Sequence, residues 1–135
     1  MSTGPSHDTT PGQLVPFAVE CSRSATGPLI ATISGDVDIA NAETLVDAVI
    51  AGTEADPKSG VVLDFAAVEF MDSTGLRAVL KIAQRLDEDA AGLVLMRPAS
   101  SVRKLLSLAG MDDRFPVAVS LDQAKAFLTA PGNGG

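Results

Sequence analysis

Two short polar segments of this chain carry residue types that can do chemistry. The first is Asp72-Ser73-Thr74-Gly75, a carboxylate and two hydroxyls on consecutive residues. It stands between the apolar run Val61-Val62-Leu63-Asp64-Phe65 and an amphipathic segment that begins at Leu76. A hydroxyl between a strand end and a helix start is exposed, oriented and open to modification. A phosphoryl group there adds about −1.5 to −2 charges at neutral pH. The same residues also suit a plain structural role, because Asp, Ser and Thr all cap helix N-termini and a glycine allows close packing. Spacing alone leaves both readings open. The second segment is Asp36-Val37-Asp38, which follows an apolar run at Leu29–Ser34. A magnesium-dependent phosphotransfer site is one reading, but no third acidic partner or covering domain is evident. A calcium loop fails, since its sixth position is Asn41 instead of Gly and its twelfth is Asp47 instead of Glu. Two readings remain: an acidic turn that complements the dipole of the next helix, and part of a protein-binding surface near Ser73.

Several kinds of chemistry drop out. The one histidine is His7, near the N-terminus, so no Ser-His-Asp arrangement can form in a core. There is no G-x-S-x-G elbow, no Cys/His cluster for zinc, and neither a G-x-x-x-x-G-K-[ST] nor a G-x-G-x-x-G nucleotide motif. No catalytic residue, metal or cofactor is assigned. The net charge of −7 opposes a phosphate backbone, so nucleic acid is not an expected partner, whereas a protein with a basic face is. A lone Cys21 cannot form an internal disulfide and fits a reducing compartment. The apolar runs fall short of the ~20 residues of a membrane span. Met1 to Gln13 has no Lys, Arg or apolar core, unlike a signal peptide. A cytoplasmic protein that does not contact membranes is expected.

The polar segments must be positioned by the elements around them. Residues 1–13 and 130–135 are rich in Gly, Pro and small polar residues and are expected to be flexible tails. Between them, residues 14–129 form one domain. Phe17–Cys21 and Leu29–Ser34 read as a strand pair joined at Gly27-Pro28. A helix is expected over about 41–53, capped by Asn41, with Leu45, Val46, Val49 and Ile50 on one face. Val61–Phe65 is continuously apolar, as in a central strand covered on both faces. The next helix carries Leu76, Val79, Leu80, Ala83 and Leu86 on its apolar face. Arg77, Lys81 and Arg85 recur at every fourth position on another face, as a solvated stripe or as contact residues for a partner. Leu93–Met96 is a fourth strand. A third helix follows, capped by Ser100 or Ser101 and ended at Gly110. Val117–Val119 is a last strand, and Ser120 with Gln123 forms a capping pair for a final helix. The order β-β-α-β-α-β-α-β-α predicts an α/β fold: a mostly parallel sheet with an antiparallel N-terminal edge and four helices.

Read together, Val61–Phe65 and Phe70-Met71-Asp72-Ser73-Thr74-Gly75-Leu76 resemble the STAS domain family, in particular the bacterial anti-sigma factor antagonists. Gly35-Asp36-Val37-Asp38 with Ala42-Glu43-Thr44-Leu45 is similar to that family's first block, and Gly110-Met111 before Phe115 to its C-terminal block. The resemblance spans about residues 14–129. It implies a single STAS domain that is not an enzyme and works by partner switching. In that scheme the unphosphorylated antagonist binds an anti-sigma factor that is also a serine kinase, which frees a sigma factor. Phosphorylation by that kinase ends the binding, and a PP2C-type phosphatase resets it. The resemblance implies Ser73 as the phosphoacceptor, with Thr74 as a secondary candidate. It matches Asp38, Asp72 and Gly75 to family positions. The expected partner-binding set is Asp36, Asp38, Asp72, Ser73, Thr74, Gly75, Arg77 and Lys81. The alternative is a stand-alone STAS module that binds a nucleotide or assembles into a larger stress-signalling complex.

Overall fold

The computed structural model describes residues 16–23, 27–111 and 113–129. The expected tails, 1–13 and 130–135, lie outside the described residues, as does His7. The elements follow the expected order: β1 (Ala18–Arg23), β2 (Leu29–Ser34), α1 (Ala42–Thr53), β3 (Val61–Ala67), α2 (Ser73–Glu88), β4 (Leu93–Met96), α3 (Ser100–Leu108), β5 (Val117–Ala118) and α4 (Leu121–Thr129).

The strands lie side by side in chain order. β1 runs antiparallel to β2, with Ala18 opposite Ser34 and Arg23 opposite Leu29. β2, β3, β4 and β5 run parallel. Sequential order fixes where the helices go. Each right-handed crossover lays its helix on the same side of the sheet, so α1, α2 and α3 share one face. α4 follows the last strand, crosses to nothing, and covers part of the other face. The core divides accordingly. Leu63 and Phe65 of β3 pack with Leu45 and Val49 of α1 and with Val79 and Ile82 of α2. Val62, Val94 and Ala118 point the opposite way, toward Ala124 and the partly buried Phe127 and Leu128 of α4. A strand buried on both faces has no polar side to show, which explains the unbroken apolar run in β3. Asp64 interrupts it and is satisfied. One carboxylate oxygen accepts from Arg97 at 3.0 Å and the other from the Ala66 N–H at 3.0 Å, as a buried charge requires.

Beyond the extension of β3 from Phe65 to Ala67, local geometry corrects four boundaries. β1 spans Ala18–Arg23, not Phe17–Cys21. Arg23 holds its far end by donating to the Gly52 carbonyl at 3.0 Å and to the Ser59 hydroxyl. β5 stops at Ala118, because the Val119 N–H turns to Gln123 Oε1 at 2.7 Å. That bond and the one from the Gln123 N–H to Ser120 Oγ at 3.1 Å make the expected capping pair of α4. Neither serine caps α3. Ala99 holds the cap position without a side-chain bond, and the Ser101 hydroxyl donates to the Glu69 carbonyl instead. The fourth correction, the start of α2, belongs to the site below. Gly110 ends α3 as expected. Its φ of +73° lets the Met111 N–H reach the Leu106 carbonyl at 2.8 Å.

The contrast between core and surface is directly measurable. Leu63→Ala should lower unfolding free energy by about 2–5 kcal/mol. Leu108→Ala, at a side chain 77% exposed, should change it by less than about 0.5 kcal/mol. Urea denaturation of both variants checks the pair, and equal midpoints would contradict the core assignment.

Candidate functional site

In a parallel sheet the loops that follow the strands gather at one edge. Here those loops are Gly35–Asn41 after β2, Val68–Asp72 after β3, and Arg97–Ala99 after β4. The first two are joined beyond the ends of their strands. A bulge between Thr32 and Ser34 shifts the register, and Gly35 turns the chain with φ of +82°. Pairing then resumes as an isolated parallel bridge between Val37 and Met71. The Val37 N–H donates to the Phe70 carbonyl at 3.1 Å, and the Asp72 N–H to the Val37 carbonyl at 3.2 Å. Val37 and Met71 are buried. Their neighbours Asp36, Asp38 and Asp72 are half-buried, and Ser73 is exposed. The bridge thus brings Asp36 and Asp38 beside the Asp72-Ser73 pair.

The sequence places the start of α2 at Leu76. The structure starts it at Ser73, with Asp72 as its cap. Asp72 is extended, with φ of −95° and ψ of −174°, and its Oδ1 accepts from the Gly75 N–H at 3.0 Å. A carboxylate is both a strong cap and a favourable charge at that helix end. The consequence falls on the next two residues. Since Asp72 does the capping, neither hydroxyl is needed for it, and among the described residues Ser73 Oγ and Thr74 Oγ1 have no hydrogen-bond partner.

Gly75 is where α2 meets the first loop. A Cβ there would press on Met71 Cγ, lie 2.9 Å from Val37 Cγ1, and lie 3.0 Å from the Val37 carbonyl oxygen. The last is backbone held by a hydrogen bond and cannot simply rotate away. The structure shows the close packing that a glycine allows.

Asn41 also departs from expectation. It occupies the position before α1 but makes no side-chain cap. It reaches backward, accepting from the Asp38 N–H at 3.0 Å and donating to the Asp36 carbonyl at 2.9 Å. Asp38 Oδ1 in turn accepts from the Ala40 N–H at 3.0 Å. The first loop is therefore braced by its own side chains. Among the described residues, no three His, Cys, Asp or Glu side chains come together as a metal would need.

Two apolar side chains stand at the surface where the sequence assigns them no site role. Ile39, on the first loop, is 80% exposed, and Phe70, on the second, is 51% exposed. A large aliphatic residue inside the polar turn Asp38-Ile39-Ala40-Asn41 was the available signal. Between α1 and α2 lies an open groove of about 240 Å³. Ile39, Val46 and Ala78 supply its apolar lining, and Thr74, Arg77 and Lys81 its polar one, with Glu43 opposite from α1. Arg77, Lys81 and Arg85 are all exposed as the sequence suggests. Arg85 reaches Asp89 at 3.8 Å and does not line the groove. Cys21 is remote from this edge. The residue is exposed, its thiol turns toward the Ala48 carbonyl at 3.7 Å, and partial desolvation on that side pushes its pKa up, away from a reactive thiolate.

A mixed five-stranded sheet with its loops joined in this way is the STAS fold. The STAS domain model matches residues 19–124, and the chain belongs to that family. Within it the chain groups with the anti-sigma factor antagonists. It is 39% identical over 105 residues to BtrV of Bordetella bronchiseptica, a match covering 77% of this chain and 90% of BtrV. It is 30% identical over 98 residues to the anti-sigma-F factor antagonist RsfB of Mycobacterium tuberculosis, covering 73% and 79%. Among solved structures, an anti-sigma factor antagonist from Mycobacterium paratuberculosis superposes with a TM-score of 0.69 at 26% identity, covering 89% of this chain and 97% of that one. SpoIIAA in its unphosphorylated form shares the fold, with a TM-score of 0.69 at 20% identity over 81% of this chain and 94% of its own. Among the described residues no helix is long and apolar enough to cross a membrane.

Gly75→Ala tests the close approach of α2 to Val37. Helix propensity alone would make the change stabilising by about 1 kcal/mol. Overpacking against the Val37 backbone should instead make it destabilising by about 1–3 kcal/mol. Chemical denaturation gives the sign, and a gain in stability would refute the close approach.

Proposed function

We propose that this antagonist binds an anti-sigma factor that is also a serine kinase, that this binding frees a sigma factor, and that phosphorylation of Ser73 ends it. The observation that carries the reading is the state of Ser73. It is exposed at the first residue of α2 and released from capping by Asp72. It also stands on the same edge as the exposed Ile39 and Phe70. Exposed apolar side chains around a polar centre are what a protein partner can bury. The family relatives support the same general role.

The chemistry is a simple transfer. The Ser73 oxygen bonds to the γ-phosphorus of the partner's ATP as the bond to ADP breaks, and the hydroxyl proton leaves to a base on the kinase. A PP2C-type phosphatase returns the hydroxyl by hydrolysis. The new group adds about −1.5 to −2 charges beside Asp72 and across the Val37–Met71 bridge from Asp36 and Asp38. In a packed interface that charge must be desolvated. Losing roughly 3 kcal/mol there weakens affinity more than a hundredfold. An ATP-using partner places the protein in the cytoplasm. Asp36, Asp38, Asp72, Ser73, Thr74, Arg77 and Lys81 form the polar part of the contact surface, and Gly75 serves it by holding α2 close.

Incubation with the cognate kinase and ATP should place phosphate on Ser73 by mass spectrometry. Ser73→Ala should keep binding the kinase, while Ser73→Glu should bind at least tenfold more weakly by calorimetry. Phosphate found only on Thr74 or in the N-terminal segment, or equal affinity of the two variants, would overturn the assignment.

A further inference from the structure

Ser73 and Arg77 are four residues apart in one continuous helix. Such pairs are neighbours, with Cβ atoms ~5–6 Å apart. Long side chains on a helix lean back toward its N-terminus, over the turn before their own Cα. That geometry puts a group on Ser73 within reach of the Arg77 guanidinium. Both are exposed. The ion pairs among the described residues are Arg85–Asp89, Arg97–Asp64 and Arg114–Asp87, and none of them engages Arg77. Arg77 also belongs to the α1–α2 groove, together with Thr74, Ala78 and Lys81 of the same helix. Of these four only Arg77 lies one turn beyond Ser73. Thr74 is its immediate neighbour, turned by about 100°, and Lys81 is two turns away.

We infer that Arg77 is the intramolecular partner of a phosphate on Ser73, so that phosphorylation also withdraws the groove's nearest cation from the anti-sigma factor. This rests on the reading of Ser73 as the phosphoacceptor. A planar guanidinium with paired donors suits a phosphate in a way that a point charge does not. The modification then acts twice on the contact surface. It adds negative charge at the rim of the groove and occupies a positive charge in its lining. Arg77 is a positioning residue in this scheme, with no part in the transfer.

The experiment needs no kinase or partner. Phosphoserine is installed at position 73 of the full chain by genetic encoding, and its second ionisation is followed by ³¹P NMR at low salt. Asp72, Asp36 and Asp38 face the phosphate from its own helix end and from the first loop, with Glu43 across the groove and Lys81 farther along. All of these are common to the parent and the Arg77 variants. The parent should titrate about half a pH unit lower than Arg77→Gln, a roughly threefold difference in proton affinity. Arg77→Lys should recover part of the difference, Lys81→Gln should leave the parental value, and about 1 M salt should erase the gap. Identical titration of the parent and Arg77→Gln would overturn the inference, as would an equal effect of Lys81→Gln. A change confined to helix content by circular dichroism would show a merely structural role and also count against it. The underlying reading fails separately: phosphorylated and unphosphorylated chains of equal affinity for the anti-sigma factor would sink it, whatever the titration shows.

Discussion

The contact between Gly75 and Val37 is the constraint on which the sheet edge carrying Asp72 and Ser73 depends. The first turn of α2 approaches the β2–α1 loop so closely that no Cβ fits between them. This closeness lets the Asp72 N–H reach the Val37 carbonyl and keeps the Val37–Met71 bridge formed and buried. The bridge in turn sets the distance between two acidic loops that are far apart in sequence. It also fixes the direction in which α2 leaves the sheet, and hence the width of the groove against α1. One missing methyl group thus links the β2–β3 register to the geometry of a surface, and the bulge between Thr32 and Ser34 feeds into the same place. A helix that pays the conformational cost of glycine within its first turn gains a rigid platform in return.

The charged side chains fall into two groups. The protein carries a net charge of −7, and among the described residues three of its arginines pair with carboxylates. Arg114–Asp87 and Arg85–Asp89 lie on exposed surface, where such pairs contribute little stability. Arg97–Asp64 is different, because the Asp64 side chain is only 11% exposed and would otherwise be an uncompensated charge next to the core. Arg77 and Lys81 take no part in these pairs and sit where two helices leave a groove. In the proposed complex, two cations beside exposed Ile39 would offer a partner both charge and apolar area.

The sequence carried most of the architecture because periodicity reports burial. Leu45 and Val49 of α1, Val79 and Leu86 of α2, and the whole of Val61–Phe65 are buried where their spacing predicts. The capping errors share one physical cause. Asn41, Ser101 and Ser120 look alike as capping residues, yet only Ser120 caps its own helix. Asn41 braces the loop behind it, and Ser101 bonds Glu69 across a gap of 32 residues. Propensity describes what a side chain can do for its own segment, and tertiary proximity decides which backbone group it meets. The start of α2 was displaced for a related reason. Its first turn has only Asp72, Ser73, Thr74 and Gly75 to show, none of them apolar, so hydrophobic spacing registers nothing before Leu76. The exposure of Ile39 and Phe70 is not legible in the sequence, because an apolar residue shows which way it faces only in the fold.

The adjacent hydroxyls of Ser73 and Thr74 show what the corrected helix start adds. While both preceded the helix, they were nearly equivalent. Inside it they point about 100° apart. Thr74 is half-buried and lines the groove, whereas Ser73 is exposed and outside that lining. A phosphate on Thr74 would have to displace whatever the groove holds and lie against Ile39 and Ala78, where a charge is poorly solvated. In the proposed switch, a phosphate on Ser73 would sit at the exposed surface of the free protein and meet a cost only when a partner covers it. The free domain would then need no rearrangement, and the penalty would be confined to the complex. The cap supplied by Asp72 is what leaves the Ser73 hydroxyl outside the needs of the helix.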